Sequence, residues 1–193
     1  MTLPTLAPHM TADELVLFRA LLGCAERYGE FGCGGSTALA VELVGKAVAS
    51  VDGTAEWLAQ VAKACDGKRI TPTLLHADIG TTGDWGMPTD ATTRARWPSY
   101  HQRLWEHQAA AESDLFLIDG RFRIACTMQV LLLCRPDAII AVHDYAMRPS
   151  YHVIERFARP VAKVGELAVF QRRPRMDVAA ANAMLIQHSY DPA

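Results

Sequence analysis

The sequence predicts a doubly wound α/β fold: a mostly parallel sheet of seven strands, covered by helices and ending in an antiparallel hairpin. Three observations predict it. Short apolar runs alternate with helical patterns through most of the chain, which implies βαβ units and a parallel sheet. The first run ends in a glycine turn, Glu30-Phe31-Gly32-Cys33-Gly34-Gly35-Ser36, and Asp52 follows Gly32 by 20 positions, where a second strand would end. Near the end, two short apolar runs (161–164 and 167–171) are separated only by Gly165-Glu166, so they pair as a hairpin with no helix between them.

The elements follow in order. Thr11-Ala12-Asp13-Glu14 is a capping box that opens a helix with Leu15, Phe18, Leu21 and Leu22 as its apolar stripe. Residues 27–31 read as the first strand and 36–44 as the helix after the glycine turn. Residues 47–52 form the second strand, Thr54 caps a helix through Ala64, and Gly67 follows its end. Residues 72–77 form the third strand, closing on Asp78. From 80 to 98 the chain is rich in Gly, Thr and Pro, with Trp85 and Trp97 embedded, and a helix then runs through Ala111. Residues 115–118 are a strand ending at Asp119. The stretch 122–134 is apolar nearly all round, so it is a buried helix, and Pro136 ends it. Residues 138–142 are a strand ending at His143-Asp144-Tyr145. A helix over 149–158 is stopped by Pro160, the hairpin follows, and 176–188 form a last helix. The expected organisation is one domain over residues 1–193, with a helical lead-in at 1–24 and an insertion or lid at 79–111.

Half of the 193 residues are hydrophobic and 21% are charged, which places the chain among globular proteins with a sizeable core. The net charge is −2 and no basic cluster stands out, so a nucleic-acid partner is not expected. Five cysteines form no Cys-x-x-Cys pair, which fits a reduced, cytoplasmic setting. No basic residue precedes Arg19 and no apolar run reaches membrane-spanning length, so neither a signal peptide nor a membrane span is expected. The apolar segment 178–186 offers a homodimer contact or folds back onto its own domain.

A glycine turn after a first strand brings the backbone close to a ligand, and the helix that begins there presents N–H groups and a positive dipole end. Three readings are open at this point: a dinucleotide, S-adenosylmethionine, and a tight turn with no ligand. The dinucleotide fingerprint wants a third glycine where Thr37 stands.

The stretch from Glu30 to Ser36 resembles the first motif of the class I S-adenosylmethionine-dependent methyltransferases, more narrowly a bacterial methyltransferase-like group with Leu-Ile-Asp-Gly-Arg-Phe-Arg and Val-His-Asp-Tyr stretches. The resemblance implies the Rossmann-like methyltransferase fold and a cofactor pocket of Glu30, Gly32, Gly34, Ser36, Asp52 and Asp78. Glu30 would lie near the cofactor's methionine portion, Asp52 would take both ribose hydroxyls, and Asp78 the adenine amino group. The family's third glycine is replaced here by Ser36. Asp119 falls where the family places residues between cofactor and acceptor.

An oxygen acceptor needs a base or a metal to take its proton. Asp119, His143 and Asp144 end adjacent predicted strands, on the edge where open α/β sheets bind ligands. Asp119 with Asp144 offers oxygen ligands for Mg²⁺, but two carboxylates and one histidine are a thin metal set, and the reading without a metal is preferred. Arg121, Arg123 and Arg148 follow the same strand ends and are suited to hold an acidic acceptor. Of these, Arg121 is chosen to orient it. Trp85, Trp97, Tyr100 and Trp105 either close over the cofactor or anchor the insertion. The expected function is S-adenosylmethionine-dependent methyl transfer to a small molecule, oxygen favoured over nitrogen. The rivals are an NAD-dependent oxidoreductase and a non-catalytic nucleotide-binding or interaction protein on the same scaffold.

Overall fold

The computed structural model describes residues 6–193. Seven strands form one sheet in the order β3-β2-β1-β4-β5-β7-β6. They are β1 (Arg27–Phe31), β2 (Ala47–Asp52), β3 (Thr73–His76), β4 (Leu115–Ile118), β5 (Ile139–Val142), β6 (Ala158–Val164) and β7 (Leu167–Arg172). The first five are parallel, and β7 runs antiparallel between β5 and β6. The chain moves outward from β1 to β3, then returns to the other side of β1 with β4. This reversal opens a crevice at the carboxyl ends of β1 and β4.

The strands alternate between two cores because successive side chains point to opposite faces. In β4, Leu115 and Leu117 pack beneath α1 (Ala12–Cys24), α2 (Gly35–Leu43) and α3 (Ala55–Ala64). Phe116 and Ile118 pack on the other face, against the segment from Trp97 to Ala110, α6 (Arg123–Leu133) and α7 (Val178–His188). All four are fully or almost fully buried, and each such side chain contributes roughly 1.5–3 kcal/mol of transfer free energy. Burial on both faces explains why β4 reads as a continuous apolar run. Helix α7 folds back through Ala181, Met184 and Leu185, while Val178 and Ile186 stay exposed.

Four local expectations are corrected. The helix expected to run to Ala111 is broken into α4 (Ser99–Arg103), a 3-10 turn at Leu104–Glu106, and α5 (Gln108–Ala111). Residues Pro149–Arg156 form a 3-10 helix rather than an α-helix. Pro160 does not stop a helix ahead of the hairpin but lies inside β6, next to a register shift between Pro160 and Ala162. An outer strand tolerates a proline because one side of it needs no ladder partner. Thr54 does not cap α3 with its side chain; its hydroxyl meets that of Thr82 at 3.1 Å. No helix among the described residues is long and apolar enough to cross a membrane.

Candidate functional site

The carboxyl ends of β1, β2, β4 and β5 assemble the site. Gly32 turns the chain out of β1 at φ 93°, and a Cβ there would lie 2.5 Å from the backbone of Gly120. The turns after β1 and β4 therefore touch, which only glycine permits at this conformation. Asp119 N–H donates to Phe31 O, and His143 N–H donates to Ile118 O, so the three strand ends are stepped side by side.

Glu30 differs from its expected place. It is fully buried beneath the glycine turn, on the α2 face of the sheet. Four hydroxyls donate to its carboxylate: Tyr28 at 2.9 Å, Thr37 at 2.5 Å, Ser50 at 2.7 Å, and Ser36. Glu30 and Ser36 thus bond each other inside the protein and hold the turn from below, and the Glu30 carboxylate itself has no exposed surface. Burial pushes the Glu30 carboxyl up to about 7, against the four hydroxyls that favour its charge. A carboxyl raised from 4.5 to about 7 on folding stabilises the native state fully below pH 4.5, and that contribution is lost as pH rises through 7. The loss is worth about 3 kcal/mol. Glu30→Gln should remove this slope: from pH 5 to pH 8 its urea-unfolding free energy should gain on wild type by up to that amount. A difference constant with pH would show a carboxyl titrating in its ordinary range.

Asp52 ends β2, half-buried beside the glycine turn, and accepts from Thr54 N–H at 3.0 Å. Burial raises its pKa, while the amides of Thr54 and Cys33 act in the opposite direction. Gly34 is buried against Trp57, whose indole N–H donates to Cys33 O at 2.7 Å. The amide of Gly34 donates to the Thr37 hydroxyl at 3.0 Å, so this donor at the start of α2 is already used. The N-terminal segment completes the enclosure: a Cβ on Gly35 would meet the backbone of Ala7 at 2.0 Å and Pro8 at 2.3 Å. The adjoining His9 ring meets the otherwise exposed Trp85 at a steep tilt, with centroids 5.6 Å apart. Asp78 stands apart. Its carboxylate pairs with Arg96 and accepts from Gly80 N–H, and it lines a groove of about 450 Å³ with His76, Pro98 and Gln102 that the glycine turn does not reach. Trp97 and Tyr100 are buried against Phe122, and Trp105 packs on Phe116, so these three anchor the insertion.

The structure brings Asp119, His143 and Asp144 together, and adds Glu14. His143 is 6% exposed. Its Nδ1 lies 3.2 Å from Asp119 Oδ1 and 3.6 Å from Asp144, and its Nε2 faces Glu14 Oε2 at 3.7 Å. Burial disfavours the imidazolium, yet the carboxylates of Asp119, Asp144 and Glu14 prevail and raise its pKa above the ordinary histidine value. Glu14 serves two elements at once. It closes the α1 capping box by accepting from Thr11 N–H at 2.7 Å, and it accepts from Glu166 N–H in the β6–β7 turn at 2.6 Å. Its role in the capping box was readable in the sequence; its approach to His143 was not, because nothing local marks it.

Asp119, His143 and Asp144 present ligand atoms within 4.8 Å of one another. The donor set does not fit a divalent cation, because Arg123 already fills the charge role. Its guanidinium reaches Asp144 Oδ2 at 2.8 Å and Asp119 Oδ1 at 3.2 Å, and also donates to the carbonyls of Gly120, His143 and Asp119. Two non-glycine positions here lie in the left-handed region: Asp144 at φ 56°, which aspartate tolerates, and Phe122 at φ 55°, an outlier for a bulky residue. Such an outlier persists only where its surroundings over-determine it. Phe122 is fully buried at the start of α6, and its conformation separates the fates of Arg121 and Arg123.

No protein-family model matches the chain, and no curated protein matches it. Among solved structures, it is similar to a methyltransferase-like protein from Silicibacter pomeroyi, with 29% identity, TM-score 0.88, and 97% of this chain and 98% of that one covered. An O-methyltransferase from Bacillus cereus, solved with S-adenosylhomocysteine (SAH), aligns over 86% of this chain at TM-score 0.54 and 14% identity, covering 84% of its own. A precorrin-6y C5,15-methyltransferase from Geobacter metallireducens gives TM-score 0.54 at 10% identity over 86% of this chain and 93% of its own. With the strand order, the glycine turn after β1 and the near-complete superposition on the first of these, the chain has the Rossmann-like fold of the class I methyltransferases.

Proposed function

We propose that the protein transfers a methyl group from S-adenosylmethionine to an oxygen of a small-molecule acceptor. The observation that carries the choice of cofactor is the enclosure of the α2 N-terminus. A dinucleotide needs its pyrophosphate on that helix end. Here Gly34 N–H is bonded to Thr37, and Ala7-Pro8 lie on Gly35. S-adenosylmethionine carries no phosphate, and Asp52, beside the turn, supplies the carboxylate that suits two ribose hydroxyls. Gly32 and Gly34 provide backbone without side chains along the same crevice. The cofactor supplies an electrophilic methyl group; the protein's task is to align the acceptor and take its proton.

Asp119 is suited to that proton. Its Oδ1 is held by His143 and Arg123, while Oδ2 has no bonded partner among the described residues, and the side chain remains 22% exposed. His143, fixed between Asp119 and Glu14, orients this carboxylate, and Asp144 holds Arg123 and Arg148 in place. The Bacillus cereus relative is an O-methyltransferase, in line with an oxygen acceptor.

Calorimetry tests the cofactor. SAH should bind and NAD should not. Asp52→Ala should weaken SAH by about 1–3 kcal/mol, because two hydroxyls lose their acceptor. Unchanged affinity, with the fold intact by circular dichroism, would remove Asp52 from the site, and tight NAD binding would favour the oxidoreductase.

A further inference from the structure

Three arginines follow the ends of β4 and β5, and they are not equivalent. Arg123 is bonded to Asp119 and Asp144, and Arg148 to Asp144 at 3.3 Å and to the Tyr151 hydroxyl at 3.3 Å. Arg121 has no ion pair and no side-chain hydrogen bond among the described residues, although it is only 9% exposed. Its Nε is enclosed and unbonded. Burial and the neighbouring Arg123 charge act against its protonated form, Tyr100 and Tyr151 only partly oppose them, and no carboxylate among the described residues pairs with it. Its backbone, by contrast, is tightly set: its amide donates to the buried Tyr100 hydroxyl at 3.4 Å, its carbonyl accepts from the Cys126 thiol, and Phe122 beside it sits at φ 55°. A strained turn thus fixes an unpaired guanidinium two residues from Asp119.

We propose that Arg121 receives the carboxylate of the methyl acceptor, which makes the acceptor a hydroxycarboxylic acid. The guanidinium is a planar fork that pairs with a carboxylate through two parallel hydrogen bonds. A single carboxylate charge matches the single charge of the Arg121 guanidinium. A phosphate dianion would bring more charge than Arg121 can offset, close to the carboxylates of Asp119 and Asp144. Consecutive Cα atoms lie about 3.8 Å apart, so Asp119 and Arg121 are within about 7 Å of each other. An acceptor that spans Arg121 and Asp119 then carries its hydroxyl a few atoms from its carboxylate. This assignment rests on the methyltransferase reading, and the test separates the two.

The test uses the full chain, with and without saturating SAH. The probes are lactate, benzoate, 4-hydroxybenzoate, the neutral 4-hydroxybenzamide, and inorganic phosphate. At least one carboxylate should bind ten-fold or more tightly than the amide and phosphate. Arg121→Met should abolish that preference, leave SAH affinity unchanged, and melt at a higher temperature than wild type, since it removes an unpaired buried charge. Arg121→Lys should keep part of the carboxylate binding. Absence of carboxylate binding, equal binding of acid and amide, or retained carboxylate binding in Arg121→Met would overturn the proposal. So would a lower melting temperature for Arg121→Met, which would make the guanidinium a structural group. Loss of SAH binding in wild type would instead sink the methyltransferase reading, and with it Arg121 as an acceptor anchor, even if carboxylates still bound.

Discussion

Replacing Arg123 by methionine should lower the unfolding free energy by about 1–3 kcal/mol, because the buried guanidinium is lost while the carboxylates it leaves are partly hydrated. Arg123 is 2% exposed and its side chain satisfies two carboxylates and three carbonyls from two strand ends and the turn between them. Methionine matches the stem but takes the guanidinium from Asp119, leaves Asp144 with Arg148 as its arginine partner, and removes the donor from three carbonyls. Urea denaturation at neutral pH measures the loss. A cost below about 1 kcal/mol would show that water replaces the guanidinium. The contrast with Arg121 is the sharper result: the same substitution two residues earlier should raise stability. One arginine is a structural clamp and the other carries a cost to stability that a bound anion relieves, a familiar trade between stability and function.

Asp119→Asn should lower turnover by about 10²–10⁴-fold, the range of a single general base, while SAH affinity stays within about two-fold. The amide is isosteric, so the bonds that Asp119 Oδ1 makes to His143 and Arg123 can be kept by its oxygen, and the change falls on the free Oδ2 position. Single-turnover kinetics with a hydroxy acid would isolate the chemical step. Turnover equal to wild type would remove Asp119 as the base and leave alignment alone as the source of rate, which suits an acceptor already ionised or a nitrogen.

The sheet was legible because its central strands are short, apolar and separated by helices, a pattern set by burial on both faces; β4 shows it most plainly. Where the reading failed, local propensity was overruled by context. Pro160 looks like a helix stop, but on the outermost strand its missing N–H has no ladder partner to disappoint. Asp119, His143 and Asp144 could be brought together from sequence since strand ends in a parallel sheet converge at one edge. The division of labour between Arg121 and Arg123 could not, because it depends on a left-handed phenylalanine that no propensity predicts. Glu30 matched a family motif by position, yet its orientation is decided by which face of β1 it occupies, and that face carries Tyr28, Ser50 and Thr37. Glu14 and the Ala7-Pro8 segment were invisible as site residues, for their partners lie far along the chain.

The Glu14 carboxylate joins residues 152 positions apart when it accepts from Glu166 N–H. During synthesis, α1 leaves the ribosome long before the β6–β7 turn exists. Until that turn is made, Glu14 Oε1 lacks the amide it accepts from, while Oε2 can still close the capping box. The contacts around Glu14 are therefore complete only once the chain has been made through Glu166, so a truncation before the β6–β7 turn removes one of them while leaving α1 and its cap intact.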